Sequence, residues 1–349
     1  RGVRTGPRRR EAGGSGLRRP ESRQPFWLQR LRSLRHLAGP TLPPLPPCRA
    51  ATGSMAAAMP SRAARARPGL LLLTASSLVL AGLSRYGWDG RKEVSDCDLA
   101  LLGLKQMNVS KTVKDHFPGA MKGSAVMSRV MRTLRPFKIR RGNTIYGQSI
   151  SPDEINGDKG HLPVLMAKHF GHAFPLGGLG GAPFTGKTGF EVFSRHVPAD
   201  GHVVIVFGPH IGYTMDGEPG KFLRRGQAEV STACEPTISA HRQVSSWWPT
   251  GSDSRDAQQS WLRSKLKGVA GSVSRSDNLM VDLVKEAYKA VEQEMLDIVN
   301  TDFGSGNLVL IGGIQINMPY PMNGYFMPIH FSIRSAEKAR IDLMRRTFG

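Results

Sequence analysis

The segment Val203-Val-Ile-Val-Phe207, which runs into Gly208-Pro209-His210, decides the fold class. Most of its apolar residues are β-branched and a glycine ends the run, as is typical of a short strand that is buried on both faces. The run Leu308-Val-Leu-Ile311 has the same character and is also followed by glycine. We therefore predict that both segments are buried strands.

Residues 278–299, between the two predicted strands, have a strong helical pattern. Ser276 is the expected N-cap, because a serine hydroxyl can accept a hydrogen bond from the first backbone N–H groups of a helix. The apolar positions of one helix face are Leu279, Leu283, Val284, Ala287, Val291 and Ile298. Residues 95–135 also look helical. Strands that alternate with helices predict an α/β layered fold.

Two residues that can bind metal follow the first predicted strand. His210 comes directly after it, and catalytic groups of open α/β sheets gather at the carboxyl ends of strands. Cys234 lies 24 positions later in Ser231-Thr-Ala-Cys234. Taken singly, each is more simply interpreted as structural, His210 as a hydrogen-bonded core residue and Cys234 as a small buried hydrophobe. Together they favour a metal site, because imidazole and thiolate are preferred ligands of zinc.

A glycine-rich stretch, Gly181-Ala-Pro-Phe-Thr-Gly186-Lys187-Thr188, satisfies the P-loop pattern GxxxxGK[ST]. A phosphohydrolase is therefore an alternative function. The residues before the stretch make a poor strand because Pro175 interrupts them, and no Asp follows the first predicted strand to organise Mg²⁺. These features favour a glycine-rich turn that packs beside another site.

The charge of the chain is concentrated near its start. The 349 residues carry a net charge of +21, and residues 1–67 contain 15 Arg, no Lys and two acidic residues, a net charge of +13. The rest of the chain therefore carries about +8. An arginine-rich arm can bind RNA, but the sequence lacks the aromatic-interleaved RNA motifs, so we expect no nucleic-acid partner.

The first 87 residues are predicted to be a disordered, basic targeting leader. Arginines at 62, 65 and 67 precede an apolar segment at 70–83, an arrangement typical of a signal sequence and too short for a comfortable membrane span. We expect delivery to a plastid; the secretory lumen, or attachment to a membrane through an uncleaved signal anchor, are the alternatives. Residues 88–136 are predicted to be a helical segment, and residues 137–349 the globular domain.

Several segments, read together, resemble the limiting-CO2-inducible B/C family of β-like carbonic anhydrases, also called theta-type. The matching segments occur in consistent order at 142–146, 149–156, 177–190, 196–198, 208–212, 216–220, 225–226, 231–234, 312–317 and 325–328. The resemblance implies a β-carbonic-anhydrase-like central sheet flanked by helices. It also implies a zinc enzyme that interconverts CO2 and bicarbonate in a CO2-concentrating role, as a homodimer or as a hetero-oligomer with a paralogue.

The resemblance further implies a zinc ion held by two cysteines and one histidine. His210 matches the family histidine and Cys234 the second cysteine. Ser151 stands at the position of the first cysteine, in Ser151-Pro-Asp-Glu154. A neutral hydroxyl is a much weaker zinc ligand than a thiolate, so this position decides whether the site binds metal.

Asp153 matches the family aspartate that pairs with an arginine beside the metal, and Arg224 and Arg225 are the candidates for that arginine. Three outcomes of the substitution at Ser151 are open. Asp153 could become a ligand, Cys97 could replace the missing cysteine, or the chain could be a non-catalytic family member that serves as a binding or assembly subunit.

Overall fold

The computed structural model describes residues 96–246, 251–300, 303–335 and 338–349. The predicted leader, with its apolar segment at 70–83, lies outside the described residues. Within them, none of the helices is both long and apolar enough to cross a bilayer.

The described α-helices differ widely in length. They are α1 (Asp96–His116), α2 (Gly123–Leu134), α3 (Leu162–Phe170), α4 (Gly186–Ser194), α5 (Glu235–Ser245), α6 (Ala257–Leu266), α7 (Ala270–Val273), α8 (Leu279–Ile298) and α9 (Met344–Phe348). Short 3₁₀ helices occupy Arg135–Phe137, Arg141–Asn143, Glu154–Gly157, Leu179–Gly181 and Ser254–Asp256.

The strands are β1 (Met121–Lys122), β2 (Thr144–Ile150), β3 (Phe174–Pro175), β4 (His202–Gly208), β5 (His210–Gly212), β6 (Lys221–Phe222), β7 (Ser231–Thr232), β8 (Asn307–Asn317), β9 (Tyr325–Ser335) and β10 (Ile341–Asp342). In the described chain, eight strands form one sheet in the order β1-β9-β8-β4-β2-β3, with β10 on β9 and β5 on β8. Strands β2, β3, β4, β5 and β8 are parallel, whereas β1, β9 and β10 add antiparallel pairings. The predicted α/β fold with a central sheet flanked by helices is confirmed.

Strand β4 is the centre of the sheet, and all seven of its residues are buried. Because side chains alternate across a strand, Val203, Ile205 and Phe207 pack in one core with α8. Val204 and Val206 pack in a second core, on the other face, with residues of α2 and α3. The predictions of buried strands at 203–207 and 308–311 are confirmed, and burial on both faces explains why their sequences are continuously apolar.

Helix α8 confirms the predicted helix but not its predicted cap. The helix begins at Leu279, with Asn278 at the N-cap position and no side-chain cap. Ser276 is instead two residues further out: its hydroxyl accepts from the Asn278 backbone N–H at 3.0 Å and donates to Asp282 in the first turn. The Ser276 hydroxyl thus stabilises the turn that leads into the helix.

Helices α1 and α2 both contribute to the body of the domain. The core that contains Val203 of β4 also includes Val109 and Val113 of α1 and Phe117, which directly follows α1. The second core includes Val126 and Val130 of α2. The short strand β1 between the helices pairs with β9.

Gly208, at the end of β4, is required by a close backbone contact. Its φ angle is +141°, and a Cβ atom there would lie 1.8 Å from the backbone oxygen of Gly313 on β8. Only glycine can occupy this position without displacing the neighbouring strand. The contact allows the chain to leave β4 and form β5 on the same side of β8.

We predict that Gly208→Ala lowers the free energy of unfolding by about 2 kcal/mol or more, since it combines an unfavourable φ angle with a backbone clash. Urea denaturation followed by circular dichroism measures the change. Gly142→Ala is the matched control, because a Cβ there meets no atom within 4 Å and no positive φ is required. Equal stability of the two variants would contradict the close contact.

Candidate metal centre

The carboxyl ends of three parallel strands bring the candidate site residues together. Ile150 of β2 pairs with Gly208 of β4, so Ser151 follows β2 where the 208–210 turn follows β4. His210 opens β5 and pairs with Gln315, near the end of β8. This edge of the sheet is where ligands bind in open α/β folds.

The imidazole of His210 is fully buried and has one of its two nitrogens engaged. Its Nδ1 lies 2.9 Å from Oδ1 of Asn317. Its Nε2 is buried and has no hydrogen-bond partner among the described residues. The carboxylate Oδ2 of Asp153 is 3.6 Å from this Nε2. A buried nitrogen without a partner is costly, so an atom or ion that binds there would be stabilising.

Cys234 is a free, buried cysteine at the start of α5. Its backbone adopts a left-handed conformation with φ +61°, which is uncommon for a residue with a side chain. Its Sγ lies 3.0 Å from the hydroxyl of Thr237, one turn into the helix. Such strained positions are common at functional sites, and the N-terminus of a helix favours a thiolate.

His210 and Cys234 change each other's protonation. Burial opposes the charged form of each, but the attraction between imidazolium and thiolate outweighs it. The pKa of Cys234 is therefore lowered below its ordinary value. Despite burial, Cys234 and then Asp153 raise the pKa of His210 above its ordinary value. The site thus favours a thiolate next to a positively charged imidazolium. A divalent cation could take the place of the imidazolium proton and supply the positive charge.

Arg224 lies against Asp153. Its guanidinium donates to Asp153 Oδ2 at 2.8 Å and to Glu154 Oε1 at 2.7 Å. A further bond to the Thr232 carbonyl at 3.0 Å fixes it beside β7. Burial alone would raise the pKa of Asp153, but His210 and Arg224 lower it below its ordinary value. Of the two predicted arginines, Arg224 makes this contact, whereas Arg225 is exposed in the turn that follows.

Ser151 is buried directly after β2, and its backbone carbonyl accepts a hydrogen bond from Asn156 at 3.0 Å. Within the described ranges, which include Cys97, no group of three or more His, Cys, Asp or Glu side chains is arranged to hold a metal ion. The structure therefore brings together one thiolate, of Cys234, and one imidazole, of His210. It has no third thiolate or imidazole donor at position 151, where Ser151 stands.

Asp153 is placed where it could supply the third donor. Two ligand atoms that are each about 2.0–2.1 Å from a tetrahedral zinc ion lie about 3.3–3.4 Å apart. The separation of 3.6 Å between Asp153 Oδ2 and His210 Nε2 is close to this value. The separation of these two donor atoms thus suits a zinc ion, with the carboxylate in place of the missing thiolate.

Three buried polar residues around the site were not recognised in the sequence. Asn156 and Asn317 connect the 151–156 turn to His210, and His161 lies 3.3 Å from the Asn156 carbonyl. Burial lowers the pKa of His161 to about 4, so this histidine is neutral at pH 7. One available signal was a polar residue at the end of an apolar strand, as Asn317 is, and the segments 149–156 and 312–317 also match the family.

The glycine-rich stretch packs beside the site. The hydroxyl of Ser149 on β2 donates to the Gly181 carbonyl at 2.9 Å, and a Cβ on Gly181 would lie 2.2 Å from the oxygen of Gly208. The strand before the stretch, β3, has only two residues, and Lys187 is exposed. The close packing against the end of β4 explains the glycine at position 181.

Comparisons with known proteins identify the family and the fold of the chain. The profile of the family described as limiting CO2-inducible proteins B/C, beta carbonic anhydrases, matches residues 120–335, more than half of the chain. The chain belongs to this limiting CO2-inducible B/C family. None of the curated proteins matches the sequence.

Solved structures of this family have the same fold. The crystal structure of PtLCIB4, a homologue of the limiting CO2-inducible protein LCIB, is 30% identical with a TM-score of 0.62 and covers 66% of this chain and 98% of its own. A histidine-to-alanine mutant of PtLCIB4 is 28% identical with a TM-score of 0.62, covering 68% and 98%. LCIB itself is 21% identical with a TM-score of 0.52, covering 66% and 96%, and supports the fold alone.

We predict that Arg224→Met destabilises the protein by about 1–3 kcal/mol at pH 7, because it leaves the carboxylate of Asp153 without its guanidinium partner. The folded-state pKa of Asp153 is below the ordinary value, so its contribution is fully present above about pH 4 and is lost as the pH falls through the folded pKa. The difference between wild type and variant should therefore shrink in acid. Urea denaturation between pH 3 and 8 measures it.

The control for this prediction is Arg132→Met, which removes the same charge from an exposed position of α2. An equal loss of stability in both variants, or a loss that does not depend on pH, would contradict the assignment of Arg224 to Asp153.

Proposed function

We propose that this protein is a zinc-dependent carbonic anhydrase that interconverts CO2 and bicarbonate, with zinc held by His210, Cys234 and Asp153. The observation that supports this most strongly is the buried, unpartnered Nε2 of His210 beside a buried cysteine and a carboxylate. When bound, zinc lowers the pKa of water to about 7, so that hydroxide is available at neutral pH.

The surrounding charges keep Asp153 ionised. Arg224 is mostly buried and pairs with the carboxylates of Asp153 and Glu154. An arginine is always charged at neutral pH, so it favours the ionised form of Asp153. The low pKa of Asp153 keeps its carboxylate ionised at neutral pH, which is the form that can bind metal or accept a hydrogen bond.

A non-catalytic family member is the second candidate, and Ser151 favours it. Zinc sites of this kind normally use three protein ligands, and the described residues contain no complete group of three. If Asp153 stays with Arg224, only two donors are left. The protein would then bind a partner or the inorganic carbon species without turning it over, as a binding or assembly subunit.

Purified protein should contain about one zinc per chain, and it should accelerate ¹⁸O exchange between CO2 and water. His210→Ala and Cys234→Ala should abolish both. Plasma emission spectrometry measures the zinc and membrane-inlet mass spectrometry the exchange. Wild-type protein without zinc and without exchange would overturn the proposal, and gain of both in Ser151→Cys would then identify a non-catalytic member that lost its third ligand.

The role of Asp153 is tested by Asp153→Asn, with Glu154→Gln as the matched control because Arg224 binds both carboxylates. If Asp153 is a ligand, its substitution should weaken zinc binding more than about 100-fold, beyond what the loss of an outer partner costs. Glu154→Gln should change it little. In a Ser151→Cys background, where a thiolate completes the site, Asp153→Asn should cost much less.

The partner and compartment stay predictions. We propose a homodimer, or a hetero-oligomer with a paralogue, on the resemblance to the family, and a plastid location on the composition of the leader. Light scattering of the purified chain and fluorescence of a tagged full-length chain would test them.

A further inference from the structure

Two buried asparagine amides connect the 151–156 turn to His210. Asn156 Nδ2 donates to the Ser151 carbonyl at 3.0 Å. Asn317 Nδ2 donates to the Ile155 carbonyl at 3.0 Å and to Asn156 Oδ1 at 3.1 Å. Asn317 Oδ1 lies 2.9 Å from Nδ1 of His210. The hydrogen-bond series therefore runs from two backbone carbonyls through the amides of Asn156 and Asn317 to the imidazole of His210.

The direction of every bond in this chain follows from its two backbone ends. A backbone carbonyl can only accept, so the Asn156 group that faces Ser151 must be the NH₂, and its oxygen must face Asn317. The Asn317 group that faces the Ile155 carbonyl must also be the NH₂. Its oxygen therefore faces His210, and an oxygen can only accept there.

A neutral imidazole carries its proton on one nitrogen and a lone pair on the other. With an acceptor at Nδ1, the proton belongs on Nδ1 and the lone pair on Nε2. The Nε2 atom is buried and makes no hydrogen bond in the described part of the chain, and the Asp153 carboxylate, 3.6 Å away, pairs with it only when the ring is protonated. A metal ion could bind only to that lone pair.

We propose that Asn317 is a positioning residue that holds neutral His210 in the Nδ1–H tautomer, so that the Nε2 lone pair is directed at the metal position. The carbonyls of Ser151 and Ile155 set the amide orientations on which this depends. The turn that carries Ser151 and Asp153 thus also prepares the histidine on the neighbouring strand. The tautomer does not depend on the proposed function, but its consequence for zinc affinity rests on it.

The consequence is measurable in two independent ways. Removal of an outer partner of a ligating histidine typically costs 10–100-fold in metal affinity. Asn317→Leu should therefore raise the zinc dissociation constant about 10–100-fold. It should also shift neutral His210 toward the Nε2–H form, because Nδ1 loses its acceptor.

The experiment uses the full chain, labelled with ¹⁵N in histidine and freed of metal. Long-range ¹H–¹⁵N spectra across a pH series report which nitrogen of the neutral ring carries the proton, with His210 assigned through His210→Gln. Above the raised pKa of His210, where the ring is neutral, wild type should show a protonated Nδ1 and a bare Nε2. Asn317→Asp still places an acceptor oxygen at Nδ1, so His210 should keep this tautomer. The variant loses the two hydrogen bonds that the Asn317 amide donates to Ile155 and Asn156, and it should therefore be less stable.

Asn307→Ala is the matched control. It removes an amide contact of 3.2 Å to His202 at the opposite end of the same strand, β8, and should leave the His210 spectrum and the zinc affinity unchanged. If His210 keeps a protonated Nδ1 in Asn317→Leu, the positioning role is overturned. If the tautomer follows Asn317 but no variant binds zinc, the inference stands and the proposed function fails.

Discussion

The parallel pairing of β4 with both β2 and β8 is the constraint on which the site depends. It sets the ends of the three strands side by side, so that Ser151, His210 and Asn317 meet although they are far apart in sequence. The pairing is stable because every residue of β4 is buried, and buried apolar surface contributes roughly 25 cal/mol per Å². Polar groups at the strand ends are therefore held on a rigid support.

The second requirement is that the buried polar groups at this edge satisfy one another. His210, Cys234, Asp153 and Arg224 form a set of opposite charges, in which each member shifts the pKa of a neighbour toward its ionised form. Buried charges are tolerated only when they are paired. Nε2 of His210 lies 3.6 Å from Asp153 Oδ2 but makes no hydrogen bond among the described residues, which is why we interpret it as a binding position.

Much of the fold could be predicted from the sequence because its signals are local. Continuous apolar runs predicted β4 and the central part of β8, and helical periodicity predicted α8 to within about one residue at each end. The N-cap of α8 was predicted wrongly, because Ser276 caps a turn outside the helix and only the backbone geometry shows this. The close approach of Gly208 to Gly313 also depends on a strand partner about 100 residues away.

The candidate site was predictable in part. His210 and Cys234 were visible as zinc-type residues, but the choice between Arg224 and Arg225 required the turn at Gly226, which exposes one and directs the other to Asp153. The link between Asn317 and His210 spans 107 positions and follows from strand register alone.

The absorption spectrum of the protein with Co²⁺ in place of zinc is the sharpest test of the proposed metal centre. We predict one Co²⁺ per chain, with intense tetrahedral bands and a thiolate-to-cobalt charge-transfer band that Cys234→Ser abolishes. Absence of stoichiometric Co²⁺ binding, or a charge-transfer band that survives in Cys234→Ser, would contradict a metal centre built on His210 and Cys234.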